Sequence, residues 1–298
     1  MNSKNKLTKW LIISVIGLAF GLVWFQPDQN LHLIACNIGQ GDAILITQGN
    51  NQILIDGGPN ESVLSCLSKY VPFWDRTIEL VVLTNADADH LTGLIEVINR
   101  YEVNQLVTNH LFKDSQRFTT FRQAVIDHQV KVHAPKAGES IQVTGTDPVT
   151  MQVLWPTIAL GNQDIWLAST NDQVLGANTY GSDGNEQSVV LKLTYGDFDA
   201  LLTGDIGSPT ETALLESGTL TDIELLKVGH HGSKYSSTVP FLDTIKPEIS
   251  IISSGKNSYG HPTPEAIEHL TTAGSQIFRT DQDGDVHLVT DGSKYWIK

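Results

Sequence analysis

A mixed α/β chain, built of mixed β-sheets flanked by helices, is the architecture that three features of the sequence predict. The first third reads as a meander of short strands joined by glycine-rich turns. The last third alternates strand and helix patterns. Three apolar strands also run into loops that hold carboxylates or imidazoles, and strand ends are where open sheets build their sites. With 298 residues, 40 % of them hydrophobic, the chain can bury a sizeable core.

Residues 1–30 stand apart. Lys4, Lys6 and Lys9 precede an apolar run from Trp10 to Phe25, broken only by Ser14 and glycines. The run is shorter than the ~20 residues of a typical spanning helix and long for a signal-peptide core. No small-x-small cleavage site precedes Gln26-Pro27, and Trp10, Trp24 and Phe25 sit where interfacial aromatics do. The pattern favours an uncleaved membrane anchor over a cleaved signal. Lysines on the N-terminal side put that end in the cytoplasm and residues 31–298, read as one domain, outside the cell membrane.

Strands are predicted over Leu31–Asn37, Ala43–Gln48 and Gln52–Asp56, separated by Gly39-Gln40-Gly41 and Gly49-Asn50-Asn51. A helix over 61–70 follows, then the apolar strand Ile78–Leu83. Shorter units come next: strand 103–108, helix 116–128 and strand 130–134. Strands at Ile141–Thr144, Thr150–Trp155 and Val189–Tyr195 bracket residues 157–187, a polar, glycine-rich stretch that is either functional or disordered. Phe198–Thr203 is a further strand. Thereafter helices over 208–217, 236–245 and 263–273 alternate with strands over 222–228 and 248–253. Three strands, near 276–279, 285–289 and 294–297, close the chain. Cys36 falls in a strand and Cys66 in a helix, and both are read as buried small hydrophobes without a metal role.

The loop after Ile78–Leu83 concentrates Asn85, Asp87, Asp89 and His90, just before an amphipathic run in which Leu91, Leu94, Ile95 and Ile98 recur at helical spacing. By itself this is either a capped turn or a metal site. The layout recurs downstream: Phe198–Thr203 leads into Gly204-Asp205, and Ile223–Val228 leads into Gly229-His230-His231-Gly232.

That series resembles the metallo-β-lactamase superfamily of hydrolases, and within it the extracytoplasmic hydrolase domain of ComEC-type competence proteins. The residues that carry the resemblance are Asn37–Ala43 (NIGQGDA), Ile55–Pro59 (IDGGP), Asp87-Ala88-Asp89-His90, Leu202–Ile206 (LTGDI), Lys227–Lys234 (KVGHHGSK), Gly260-His261-Pro262 and Arg279-Thr280-Asp281. The resemblance implies a four-layer αββα sandwich with its site at the edge where the two sheets meet. It also implies one or two divalent metal ions. Carried over by position, one metal site takes Asp89, His90, Asp205 and His230. The other takes Asn85, Asp87 and Asp205, with Asn85 standing where the superfamily has His. So oxygen-rich a donor set suits Mn²⁺ first and Zn²⁺ next.

Within that arrangement Asp89, His231, His261 and Lys234 are the expected catalytic residues: His231 or His261 orients the leaving group or donates its proton, and Ser233 and Lys234, directly after the ligand, hold a phosphate oxygen. Asp56 is either a turn-forming residue or the holder of a ligand imidazole. A metal-dependent phosphodiesterase, a DNase acting on DNA, is the function implied. A hydrolase of another ester or amide (a lactone or an envelope component), or a binding domain that lost turnover at Asn85, are the alternatives. The net charge of −14 disfavours broad non-specific attachment to nucleic acid. Lys227, Lys234, Lys246 and Lys256 are either an anion-steering rim or lysines on a solvated face.

Overall fold

The computed structural model describes residues 10, 13, 28–109, 113, 115–143, 149–157 and 184–298. The anchor expected over Trp10–Phe25 lies outside the described residues, Trp10 and Ile13 excepted, as do His110 and positions 158–183 of the long polar stretch. Among the described residues no helix is long and apolar enough to cross a membrane.

Leu31–Ala35 (β1), Ile44–Gln48 (β2) and Asn51–Ile55 (β3) form an antiparallel meander. The chain then continues through helix Ser62–Tyr70 (α1) and a short strand, Thr77–Ile78 (β4), to Leu80–Leu83 (β5), which lies parallel to β3. Helix Ala88–Arg100 (α2) and Glu102–Val103 (β6), which pairs with β4, lead to Gln105–Thr108 (β7). Helix Gln116–Asp127 (α3) and Lys131–His133 (β8) extend this sheet in parallel. The other edge is added from the far end of the chain, where Val286–Thr290 (β16) and Tyr295–Ile297 (β17) run antiparallel beside β1.

The second sheet begins with an antiparallel set: Ser140–Val143 (β9), Val149–Trp155 (β10), Val190–Tyr195 (β11) and Phe198–Leu202 (β12). It continues in parallel through Leu225–Lys227 (β13), Ile249–Ile252 (β14) and Gln276–Arg279 (β15). Helices Ser208–Ser217 (α4), Val239–Ile245 (α5) and Pro264–Thr272 (α6) make its crossovers.

Period-two alternation sorts the strands into layers. Leu31, Leu33, Ile44, Ile46, Leu80 and Val82 meet Leu191, Leu193, Ala200, Leu202 and Ile249 in a core between the two sheets. The residues between them point the other way. Ile34, Leu45, Val81 and Leu83 pack under α1, α2 and α3, and Val190, Leu201, Leu226 and Ile252 pack under α4, α5 and α6. Both sheets are thus buried on two faces, which is why their central strands read as continuous apolar runs. The result is the four-layer αββα sandwich that the resemblance implies.

Two expectations are corrected. Cys36 and Cys66 are joined in a disulfide, 5.9 Å apart at Cα, instead of standing as separate buried thiols. The reason is packing: α1 lies on the end of β1, so the residue just after the strand and a helix residue 30 positions on face each other in one core. The helix expected over 236–245 begins only at Val239, because Ser237 adopts a left-handed backbone (φ +55°) and ends the preceding loop.

Candidate metal centre

Parallel pairing within each sheet sends β3, β5, β12 and β13 to the same edge of the sandwich, so the loops after them meet. Asp56 follows β3 with φ +60° and is fully buried. Its Oδ1 accepts from Thr84 N at 2.7 Å, and its Oδ2 from Thr84 Oγ1 at 2.6 Å. The Nδ1 of His90, on the first turn of α2, lies 2.8 Å from Asp56 Oδ2, and its Nε2 lies 3.0 Å from Asp205 Oδ2.

His231 completes the group. Its Nδ1 donates to the Ser253 carbonyl at 2.9 Å, which leaves Nε2 facing Asp89 Oδ2 at 3.4 Å and Asp205 Oδ2 at 3.5 Å. Asp42 lies behind, 3.5 Å from the His231 ring and ion-paired with buried Lys227. Gly41 sets this approach: a Cβ there would stand 2.1 Å from the Asp89 carbonyl, which accepts from Asp42 N at 3.1 Å.

Electrostatically the pocket is short of positive charge. Burial pushes His90 and His231 towards neutrality. Asp205 outweighs it in both, helped by Asp56 for His90 and Asp42 for His231, so both imidazoles hold protons well above the ordinary range. Burial pushes Asp205 up, and the two imidazoles hold it well below the usual carboxylate range. Asp42, raised by burial, is drawn down to about 2 by Lys227 and His231. Burial raises Asp56 against the opposing pull of His90 and Thr84. Two protons on the imidazoles therefore supply the charge of one divalent cation.

The donors also fit such a cation in their hydrogen bonding. Buried polar atoms are almost always partnered. Here Asp205 Oδ1, Asp42 Oδ1 and His231 Nε2 are buried with no hydrogen-bond partner, all turned into one acid–imidazole cluster. Ligand atoms of Asp89, His90 and His231 lie within 4.8 Å of one another. Oxygen and imidazole donors so grouped suit a divalent ion, which Asp89, His90 and His231, with Asp205 beside both rings, would hold.

The expected residues are distributed as follows. Asp89, His90 and Asp205 converge, and Asp56 holds the His90 ring. The ring that faces Asp89 and Asp205 is that of His231, the neighbour of the expected His230. Two successive left-handed residues, His230 (φ +46°) and His231 (φ +54°), turn the second ring inward. The first is half-buried, edge-on to His261 at 5.3 Å.

Asn85 and Asp87 lie in other contacts. Asn85 Oδ1 closes the loop by accepting from Asp87 N at 2.8 Å, and its Nδ2 reaches Ser188 Oγ at 3.4 Å. The Asp87 carboxylate pairs with Lys113. Ser233 is buried, its Oγ accepting from Tyr235 N at 3.3 Å, and Lys234 is exposed, lying over the Tyr235 ring. His261 has Nδ1 buried without a partner.

Two members of the pocket escaped the sequence reading. Asp42 follows a glycine turn that reads as a plain hairpin. Lys227 reads as part of a surface rim but is buried beneath the site, its Nζ also donating to the Gly204 carbonyl at 3.2 Å. A charged residue inside the apolar strand Leu225-Leu226-Lys227 was the available signal, since buried charge demands a partner. Of the other three lysines, Lys246 pairs with Asp222, and Lys234 and Lys256 are exposed.

A sandwich of this layering with acids and imidazoles at one sheet edge belongs to a known class. The model of the Metallo-beta-lactamase superfamily matches residues 36–256, and the chain belongs to that superfamily. Its homologues include ComEC-type competence proteins. ComE operon protein 3 of Bacillus subtilis is 27 % identical over 95 % of this chain and 36 % of its own length. Recombination protein 2 of Haemophilus influenzae is 27 % identical over 97 % and 34 %. Competence protein ComA of Neisseria gonorrhoeae is 24 % identical over 93 % and 35 %. The chain thus spans about a third of these relatives. Among solved structures, the metallo-beta-lactamase fold protein YhfI from Bacillus subtilis superposes with a TM-score of 0.52 at 12 % identity. The match covers 90 % of this chain and all of that one, and shows the shared fold.

Proposed function

We propose that the chain is an extracytoplasmic, metal-dependent phosphodiesterase that cleaves DNA. The observation that carries the reading is the buried convergence of Asp89, His90, Asp205 and His231, with Asp205 Oδ1 and His231 Nε2 left for a cation. The kinship with ComEC-type proteins supports the choice of DNA. The donor set favours Mn²⁺, with Zn²⁺ next. A divalent ion held there by Asp89, His90, Asp205 and His231 would make its water acidic enough to attack at neutral pH and would polarise the ester as a Lewis acid.

The chain's own groups do the remaining work. Asp56 fixes the His90 ring, and Ser253 fixes that of His231. Asp89 is the member of the cluster that reaches solvent, its carboxylate kept ionised because His231 and His90 outweigh burial. It faces the incoming substrate. Burial, then His230 and His231, lower the proton affinity of His261, whose neutral ring can donate an N–H hydrogen bond that orients the leaving oxygen. Exposed Lys234 and Lys256 offer positive charge to a phosphate from outside the pocket.

The disulfide supports a location outside the cytoplasm, where such bonds persist. The lysine-flanked run Trp10–Phe25 supports tethering to the membrane.

The test is cleavage of linear and circular DNA by the purified chain with Mn²⁺, with Zn²⁺ and with chelator. Metal-dependent cleavage, lost in Asp205→Ala, is expected. Hydrolysis of lactone or amide substrates with none of DNA moves the reading to another ester or amide. A second reading, a binding domain without turnover, has Asn85 in its favour, since that side chain is spent on closing its own loop. Metal binding without cleavage of any substrate would establish it.

A further inference from the structure

Phe73 and Trp74 take no part in the site. They sit in the loop after α1, 82 % and 52 % exposed, with their rings edge to face at 4.9 Å. A cavity of about 500 Å³ opens beside them, lined also by Asp28, His32, Tyr70 and His287. It lies at the opposite end of the first sheet from the metal centre. His32 and Gln52 stand near the starts of β1 and β3, whereas Cys36 and Asp56 follow the other ends of the same strands.

The chain enters on this face. Asp28 is tied down there: its carbonyl accepts from Gly49 N at 3.2 Å, and its carboxylate lies 2.8 Å from His32 Nε2. Phe25, the last residue of the apolar run, is three peptide units earlier. Three units reach at most about 11 Å. A bilayer that holds the run therefore begins within a short distance of the cavity and of the aromatic pair.

We propose that this face rests on the membrane, with Phe73 and Trp74 seated in the lipid–water interface and the metal centre turned away from it. Aromatic rings with apolar bodies favour that layer. The net charge of −14 gives anionic lipid no general attraction for the domain, so a zwitterionic surface suffices. The proposal rests on the membrane tether in the functional reading. It adds that the domain has one orientation on its tether and presents its site to polymers in the surrounding medium.

The full chain is reconstituted in phosphatidylcholine vesicles carrying a phosphatidylcholine with a photoactivatable diazirine in its acyl chain. Lipid-modified peptides are then located by mass spectrometry. Label is expected on residues 10–25 and on 70–76. The label on 70–76 is lost in the double variant Phe73→Ser/Trp74→Ser, whose changed side chains are exposed and leave the core intact. Label confined to 10–25 overturns the proposal while the tether stands. No label on 10–25 overturns the tether and the proposal with it. Label on 257–261, beside the metal centre, overturns the orientation.

Discussion

The Asp56 carboxylate lies 2.8 Å from the His90 ring and accepts two further hydrogen bonds from Thr84, one from its amide and one from its hydroxyl. Three donor atoms from two residues, Thr84 after β5 and His90 on α2, thus converge on one buried side chain. That arrangement fixes which nitrogen of His90 faces Asp205, and it ties the end of β3 to the end of β5. An acid at this place would act on a bound metal without touching it.

Asp56→Asn keeps the shape and removes the charge. The amide no longer pulls the Nδ1 proton, so the ring is a poorer donor at Nε2 and freer to rotate. Metal affinity is expected to fall roughly 10–100-fold with the fold retained, read by competition against a chromophoric chelator. Unchanged affinity would show that the carboxylate serves the loop alone.

Adjacent histidines give a sharper comparison. His231 is buried with Nε2 aimed at Asp89 and Asp205, whereas His230 lies against His261. His231→Ala is expected to lose bound metal, measured as ions per chain after dialysis, while His230→Ala keeps it. The reverse result would return the ligand role to His230.

Strand and helix patterning made a mixed α/β fold legible in the sequence and the acidic loops marked the site, while the four layers were implied by the family resemblance. What they left open were relationships between elements. Asn85, Asp87, Asp89 and His90 are concentrated in one loop of the sequence, but α2 begins at Ala88, so Asp89 is carried round by the helix. Which of two adjacent histidines turns inward depends on two left-handed backbones, and neither leaves a mark in composition. Cys36 and Cys66 each looked settled within their own element. Their pairing follows only once α1 is placed on β1.

The disulfide makes a separable claim about stability. It closes a loop with a sequence separation of 30, and a cross-link of that span stabilises by about 3–4 kcal/mol in the chain-entropy account. Cys36→Ser/Cys66→Ser is expected to lower the urea midpoint by a matching amount, with metal content per chain unchanged. Equal midpoints for the variant and the oxidised protein would remove the bond from the energetics.

Titration supplies the last prediction. In the metal-free protein His90 and His231 hold their protons well above the ordinary value of 6.5, because Asp205, with Asp56 and Asp42, outweighs burial. Groups raised in this way stabilise the fold fully below their unfolded pKa, and that contribution is lost as pH rises through the folded value. Chelator-treated protein should therefore weaken above about pH 6.5, while metal-loaded protein, whose imidazoles are neutral ligands, should not. Loading must displace the same protons, so calorimetry at pH 7 in two buffers of different ionisation enthalpy should show about two protons released per site filled. Affinity should rise with pH until both imidazoles are free of protons in the unliganded state. Binding with no proton release would mean that the two rings are not the ligands, whatever their distances from Asp205.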